Sequence, residues 1–367
     1  MNAPQLADTT RKNAVLFKPK AKPKLGVDIS TSSVKLIEIS RSGDGYRVET
    51  YAAEPMPPNA VVDKVIQDIE AVGDAVRKAV KRAGSRVKDA AVAIGGASVI
   101  TKLIPMPAAL SDQELGEQIE LQADQYIPFP LEEVSFDYEI VGPSPNDPEM
   151  VDVLLAATRR ENVEARQAVL DIAGLNAKVV DIEAYALENA CRLMTYQMPD
   201  EGMDKTIGVV DFGATTTTFS VLRDHRIIYT RDQLFGGKQL TEEIMRHYGL
   251  SFEEAGKAKR EGGLPSNYKP EILDPFLEDM AQQVNRSIQF FLSSQSEFTE
   301  LDQLIVCGGC AAIPGAVEYI EERVGTPAVL GDPLGQMKLS SKAKAQLVEN
   351  DAVSLVIACG LAMRSFD

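Results

Sequence analysis

Two stretches in opposite halves of the chain share one design, and that repetition limits the fold more than any other feature. Residues 25–37 read LGVDISTSSVKLI and residues 207–222 read IGVVDFGATTTTFSVL. In each, an apolar run reads as a buried strand. An aspartate closes it, small and hydroxyl-bearing residues follow, and an apolar strand resumes. Aligned on the aspartates, Asp28-Ile29-Ser30-Thr31-Ser32-Ser33 matches Asp211-Phe212-Gly213-Ala214-Thr215-Thr216. Both read as hairpins with small, polar tips led by a carboxylate. Glycine lets a backbone approach a ligand closely, successive amides in a tight turn form an anion-binding nest, and an aspartate can hold Mg²⁺ through water. Either tip alone reads equally well as a plain turn, and the run of threonines after Ala214 as ordinary β-formers. Two copies favour the ligand reading: two similar domains facing one cleft, with a nucleotide's phosphates clamped between the tips.

Composition agrees and narrows the alternatives. A length of 367 residues predicts two or more domains. The net charge of −16 argues against nucleic acid as a main partner, whereas a local nest and Mg²⁺ override global charge for ATP. Four cysteines, Cys191, Cys307, Cys310 and Cys359, show no disulfide framework, and two histidines leave little for a metal centre or a Ser-His-Asp triad. Residues 1–24 have no apolar core of a signal peptide. The late apolar run at 352–363 is far shorter than the roughly 20 residues of a membrane span. A cytoplasmic protein is expected.

Along the chain, residues 1–23 read as a disordered arm with Arg11, Lys12, Lys18, Lys20 and Lys22. It is either a solvated tail or a basic segment for anionic lipid or an acidic partner. Residues 63–83 read as an amphipathic helix stopped by Gly84. Residues 98–174 have a different grammar, a βαββα unit in which Ser111 and Glu114 form a capping box. The first lobe is then expected at 24–97 and 175–204, joined by a closing helix at 352–367. The second lobe is expected at 205–234 and 300–351, with a helical subdomain at 235–299. A late strand runs into Cys307-Gly308-Gly309-Cys310 and a helix is expected from Pro314. That C-x-x-C has no second ligand pair, and close approach of the Gly-Gly backbone explains it without redox or zinc chemistry.

The paired hairpins, the Gly-Gly strand end and the crossing segment VDIEAYALENA at 180–190 together resemble the actin-like ATPases: actin, the division protein FtsA and the heat-shock chaperone ATPases. The inserted unit and the wording LGVDISTSSVKLIEI resemble more narrowly the PilM family, actin-like proteins of the type IV pilus inner-membrane assembly platform. The resemblance covers residues 24–366. It implies an α/β, actin-like ATPase fold, two lobes of ribonuclease-H-like topology around a nucleotide cleft, with an FtsA-like inserted subdomain. It implies ATP and Mg²⁺ as cofactors. Asp28, Ser30, Thr31, Ser32, Ser33 and Lys35 match the first phosphate motif, and Asp211, Gly213, Ala214, Thr215 and Thr216 the second, with Asp28 and Asp211 toward the metal. Gly308, Gly309 and Pro314 match the adenosine motif; Gly236, Gly237, Glu242 and Lys259 fall on its adenine side. Glu183 and Ala186 match the connecting motif, where the family places the residue that orients attacking water, so Glu183 and Asp211 are the catalytic candidates. Glu183 is equally a helix N-terminal carboxylate that suits the dipole.

Three departures bear on this. Ser30 replaces a usual glycine, Gly256 replaces a glutamate near the adenosine, and residues 182–184 lack the Glu-Pro of the division proteins. Hydrolysis rate is left open, at most a weak ATPase. The resemblance further implies a partner groove on the inserted unit for the N-terminal cytoplasmic tail of PilN, contacts with other platform proteins and motor ATPases, and attachment to the inner face of the inner membrane through partners. Self-association stays open. Two other functions use the same hairpins. A phosphotransferase would need a catalytic carboxylate in the insertions, where Glu114, Glu117 and Glu120 read as a solvated helix face. A filament former of the FtsA type would need a C-terminal amphipathic anchor, which is not seen here.

Overall fold

A computed structural model describes residues 22–144 and 147–366, so the arm expected at 1–23 lies almost wholly outside the described residues. In chain order the elements are β1 (Leu25–Ile29), β2 (Ser33–Ser42), β3 (Gly45–Pro55), the small hairpin β4 (Val61–Val62) and β5 (Val65–Ile66), α1 (Ile69–Ala83), β6 (Asp89–Ile94), β7 (Val99–Pro107), α2 (Asp112–Tyr126), β8 (Val134–Ser144), β9 (Asp147–Arg159), α3 (Arg160–Ile172), β10 (Asn176–Ile182) and α4 (Glu183–Cys191). The second half continues with β11 (Thr206–Phe212), β12 (Thr217–Arg223), β13 (Arg226–Gln233), α5 (Gly237–Tyr248), α6 (Phe252–Glu261), α7 (Asp274–Ser294), β14 (Gln303–Cys307), α8 (Ala316–Val324), β15 (Ala328–Leu330), β16 (Lys338–Leu339), α9 (Ala345–Asp351) and α10 (Val356–Met363).

The repetition seen in the sequence is a repetition of topology. One sheet has the order β10-β6-β1-β2-β3-β16 and another the order β13-β12-β11-β14-β15. In each, the first three strands form an antiparallel meander, and the next two add in parallel beside the first. The central strands are buried on both faces, which is why β1, β11 and β14 read as nearly unbroken apolar runs. This is the two-lobed ribonuclease-H-like arrangement of the actin-like fold.

The inserted unit is a sheet of order β7-β9-β8. Its core joins Ile104, Met106, Val153 and Leu155 to Leu115 and Ile119 of α2, which opens on the capping box at Ser111 and Glu114. Pro105 does not stop β7, because β7 is an edge strand and a missing amide costs it nothing on the open side. The unit's own core ends with β9. α3 packs Val169 and Leu170 against Val72 and Val76 of α1, so it belongs to the first lobe, earlier than the boundary at 174 expected from the sequence.

Three further expectations are corrected. The helix expected at 63–83 starts only at Ile69, where Asp68 caps it by accepting from the Ala71 amide. Residues 61–66 are instead a hairpin whose turn holds Asp63 and Lys64 at positive φ. Helix α8 begins at Ala316, two residues after Pro314. Residues 334–348, expected in the second lobe, return to the first: β16 pairs with the outer edge of β3, and Leu334, Ala343 and Val348 share a core with Ile37, Ile39 and Val48.

Helix α10 is the keel between the lobes. It lies on β1 and α4, and small residues let the backbones touch. A Cβ on Gly26 would fall 2.0 Å from the Ala358 carbonyl oxygen, and one on Gly360 would fall 1.7 Å from that of Ala186. No single helix among the described residues is long and apolar enough to cross a membrane. Gly360→Ala is therefore expected to destabilise by about 1–3 kcal/mol, as overpacking does, seen as a lower urea midpoint. Gly256→Ala, in the middle of α6 with only the Arg260 guanidinium at 3.6 Å, should stabilise by about 0.5–1 kcal/mol.

Candidate functional site

The two hairpin tips adopt the same turn. The amide of Ser30 donates to the Ser33 carbonyl at 3.0 Å, and the amide of Gly213 donates to the Thr216 carbonyl at 3.0 Å. Ser30 Oγ adds a second bond to the Ser33 carbonyl at 2.9 Å, so the serine that departs from glycine turns its hydroxyl into its own loop. The tips meet: Thr31 Oγ1 and Thr215 Oγ1 lie 3.4 Å apart. Among the described residues the amides of Thr31, Ser32, Ala214, Thr215 and Thr216 make no hydrogen bond to backbone or side chain, which leaves two nests of donors facing each other. The second tip is braced from behind. The amides of Gly237 and Lys238, at the N-terminus of α5, donate to the carbonyls of Gly213 and Ala214 at 3.0 and 2.8 Å. Thr217 is buried and donates to the Phe235 carbonyl at 2.9 Å, so it anchors the loop.

Beneath the tips the two aspartates share one electrostatic cluster. Lys35 Nζ bonds Asp28 Oδ2 at 3.1 Å. Burial disfavours the Lys35 ammonium, but the carboxylates of Asp28 and Asp211 outweigh it and raise its pKa. Asp211 closes no ion pair or side-chain hydrogen bond among the described residues. Burial pushes its carboxyl up to about 6, with Lys35 and Lys64 pulling down and Asp28 and Glu183 pushing up. Asp211 lies against Gly308: a Cβ there would be 2.3 Å from Asp211 Oδ1, and φ at Gly308 is +86°. Only glycine fits both demands.

The remaining predicted residues sit on the second-lobe wall. Gly309 is open to solvent with nothing near its Cβ position. Lys259 Nζ donates to the Gly237 carbonyl at 2.9 Å and to Thr241 Oγ1 at 2.8 Å, so it fastens α6 to α5; burial lowers its pKa. Cys310 packs beside Gly237, and burial pushes its thiol up to about 11, far from a reactive thiolate.

The residue that sequence reasoning missed is Lys64. Its ammonium reaches Glu183 Oε2 at 2.7 Å in the first lobe, and Thr218 Oγ1 at 3.1 Å and Asp232 Oδ2 at 3.3 Å in the second. These carboxylates hold its pKa above the usual lysine range despite burial. Buried Arg166 on α3 supports the loop, donating to the Lys64 carbonyl at 3.1 Å and to the Ala93 carbonyl at 2.6 Å. Glu183 also needs Gly95, whose Cβ would fall 2.0 Å from Glu183 Oε2. Reading 63–83 as one helix hid Lys64. Asp68 followed by Glu70 is a helix-start signal that places the lysine in a loop.

The type IV pilus assembly protein PilM family model matches residues 26–366. The chain belongs to the PilM family. A solved PilM-PilN type IV pilus biogenesis complex is similar to this PilM-family chain at 25% identity and a TM-score of 0.79, covering 95% of this chain and 100% of that one. The ethanolamine utilization protein EutJ from Carboxydothermus hydrogenoformans follows at 21% identity and a TM-score of 0.55, over 95% and 90% of the two chains. MreB 5 of Spiroplasma citri, solved bound to AMPPNP, shares 14% identity at a TM-score of 0.50, over 94% and 96%. The last two show the actin-like fold alone. This chain is thus a type IV pilus assembly protein of actin-like fold.

Two predictions follow from the cluster. The folded Asp211 carboxyl keeps its proton to about pH 6, against 3.8 ordinarily, so the folded state loses stability as pH rises between those values and stays lower above them. Asp211→Asn should therefore raise stability at pH 7 by on the order of 3 kcal/mol, with the gain shrinking as pH falls from about 6 and gone below about pH 4, measured by urea unfolding across pH. For Lys64, a double-mutant cycle of Lys64→Met and Glu183→Gln should give a coupling energy of roughly 1–3 kcal/mol; additive losses would show that the pair does not join.

Proposed function

We propose that this PilM-family chain is a nucleotide-operated scaffold. ATP with Mg²⁺, held between the hairpin tips, sets the closure of the lobes, and closure sets the shape of the inserted unit that takes up the N-terminal cytoplasmic tail of PilN. One observation carries the first half: unengaged amides on two matched tips converge where Thr31 and Thr215 touch. They do so above Asp211, an ionisable carboxyl without an ion pair among the described residues. The donor set suits a polyphosphate with a hard cation. Two carboxylates, with water and phosphate oxygens completing the shell, are what Mg²⁺ ordinarily takes.

In this reading Asp28 and Asp211 hold the metal, and the amides and hydroxyls of Ser30, Thr31, Ser32, Ser33, Ala214, Thr215 and Thr216 take the phosphates with Lys35. Gly213 and Gly237 allow the backbone approach. Gly308, Gly309 and Pro314 line the adenosine, with Lys259 fixing the wall behind it. Glu183 orients a water. The bound nucleotide would supply the negative charge, and Mg²⁺ would let Asp211 stay ionised at neutral pH. Lys64 ties Glu183 to the second lobe, so any opening of the lobes frees or strains that carboxylate.

The second half rests on the inserted unit and on the similar complex with PilN. Sheet β7-β9-β8 leaves two open edges, which an extended peptide can use. Its face away from α2 carries Leu103, 56% exposed, opposite Leu154. Attachment to the inner membrane then comes through PilN. Titration with Mg-ATP should show binding by the wild type and at least ten-fold weaker binding by Asp211→Ala. Equal binding by both would end the nucleotide reading. A synthetic PilN tail peptide should bind the full chain with an affinity that changes when ATP is present, and Leu103→Glu should weaken it.

A further inference from the structure

A basic face on the first lobe stands out against an acidic protein. The chain carries a net charge of −16, yet residues 75–88, AVRKAVKRAGSRVK, hold six basic residues and no acidic one. All six are exposed. Arg77 pairs with Asp74 at 2.6 Å and Arg82 with Glu54 at 2.8 Å. Lys78, Lys81, Arg86 and Lys88 close no ion pair among the described residues. Cations in the last turn of a helix complement its dipole, which accounts for Lys81 and Arg82. It does not account for Arg86 and Lys88, which lie beyond the Gly84 stop.

Two other segments bring charge to the same place. Lys22 and Lys342 line, with Arg86 and Lys88, an open depression of about 540 Å³ beside the end of α1. Of the three acidic groups there, only Glu49 has a cation beside it, and Glu38 and Asp89 are held by neutral donors, so the four basic residues outnumber them. Glu49 accepts from Ser40 at 2.6 Å and pairs with Arg47 at 2.6 Å, Glu38 accepts from Ser85 at 2.6 Å, and Asp89 accepts from the Asn176 side-chain Nδ2 at 3.0 Å.

We propose that this face docks on an anionic membrane surface. Its cations come from separate segments and ring an open depression that holds none of the aromatic anchors a shaped protein partner uses. Dispersed, unpaired charge matches the smeared charge of a bilayer, and clusters of four to eight basic residues are what such surfaces attract. Because the rest of the chain is acidic and repelled, binding through this face also sets one orientation: the end of α1 toward the lipid.

The test is sedimentation of the full-length protein with vesicles of phosphatidylcholine alone or mixed with phosphatidylglycerol. Binding is expected only to the mixed vesicles, and should fade in high salt. Each basic residue at such a surface is worth about five-fold in affinity. The quadruple variant Lys78→Glu, Lys81→Glu, Arg86→Glu, Lys88→Glu should therefore lose about six-hundred-fold or more. The same kind of change on the other lobe, Lys269→Glu with Arg286→Glu, should lose little. Circular dichroism melts establish that both variants fold. No binding by the wild type, or equal loss in both variants, overturns the proposal. Binding to poly-glutamate without binding to vesicles overturns it in favour of an acidic polypeptide.

Discussion

The contact on which the rest is built is backbone against backbone, where α10 lies on β1 and α4. At Gly26 and Gly360 there is no room for a single extra carbon. Helix α4 starts with Glu183 and strand β1 carries Asp28 one residue before its end, so this contact fixes both acidic groups relative to one another. The segment just before α10 reaches the other lobe: the Gly308 amide donates to the Val353 carbonyl at 2.9 Å. Gly308 in turn presses on Asp211. A chain of close contacts, with no long side chain in it, thus runs from the first aspartate to the second. Cores transmit strain because they are packed as densely as crystals, and small residues make that transmission stiffest.

Across this stiff floor the cleft is charged in a deliberate imbalance. Carboxylates from both lobes converge, and two ammonium groups, Lys35 and Lys64, divide the work of balancing them. Lys35 stays with Asp28 on its own strand pair. Lys64 spans the lobes. Among the described residues Asp211 is left with no direct partner, which costs stability and poises it for a cation. Strained or under-paired groups of this kind concentrate at working sites.

The sequence made the hairpins legible because tip chemistry is local: an aspartate, small residues and hydroxyls within six positions. The Gly-Gly loop and the capping box of α2 were readable for the same reason. What escaped were features set by distant parts of the chain. Lys64 acquires its role only because Glu183 and Asp232, far away in sequence, arrive beside it. The assignment of α3 to the first lobe depends on Gly73 admitting Ile172, whose Cβ comes within 2.7 Å of a Cβ built on that glycine. That Pro105 lies inside β7 depends on an edge position, which cannot be recognised before the sheet order is known. The return of residues 334–348 to the first sheet left no local signal, since β16 is only two residues long.

That return has a bearing on how the molecule is made. Strand β3 would otherwise offer a long unpaired edge, an invitation to pair with another chain. The strip that covers part of it, together with α10, which packs on one face of the same sheet, is synthesised after almost everything else. While the ribosome is still delivering the second lobe, the first has its meander but neither its edge guard nor its keel. The nascent lobe can collapse early but can finish only late, and the exposed interval is when a chaperone, or a premature neighbour, would find it.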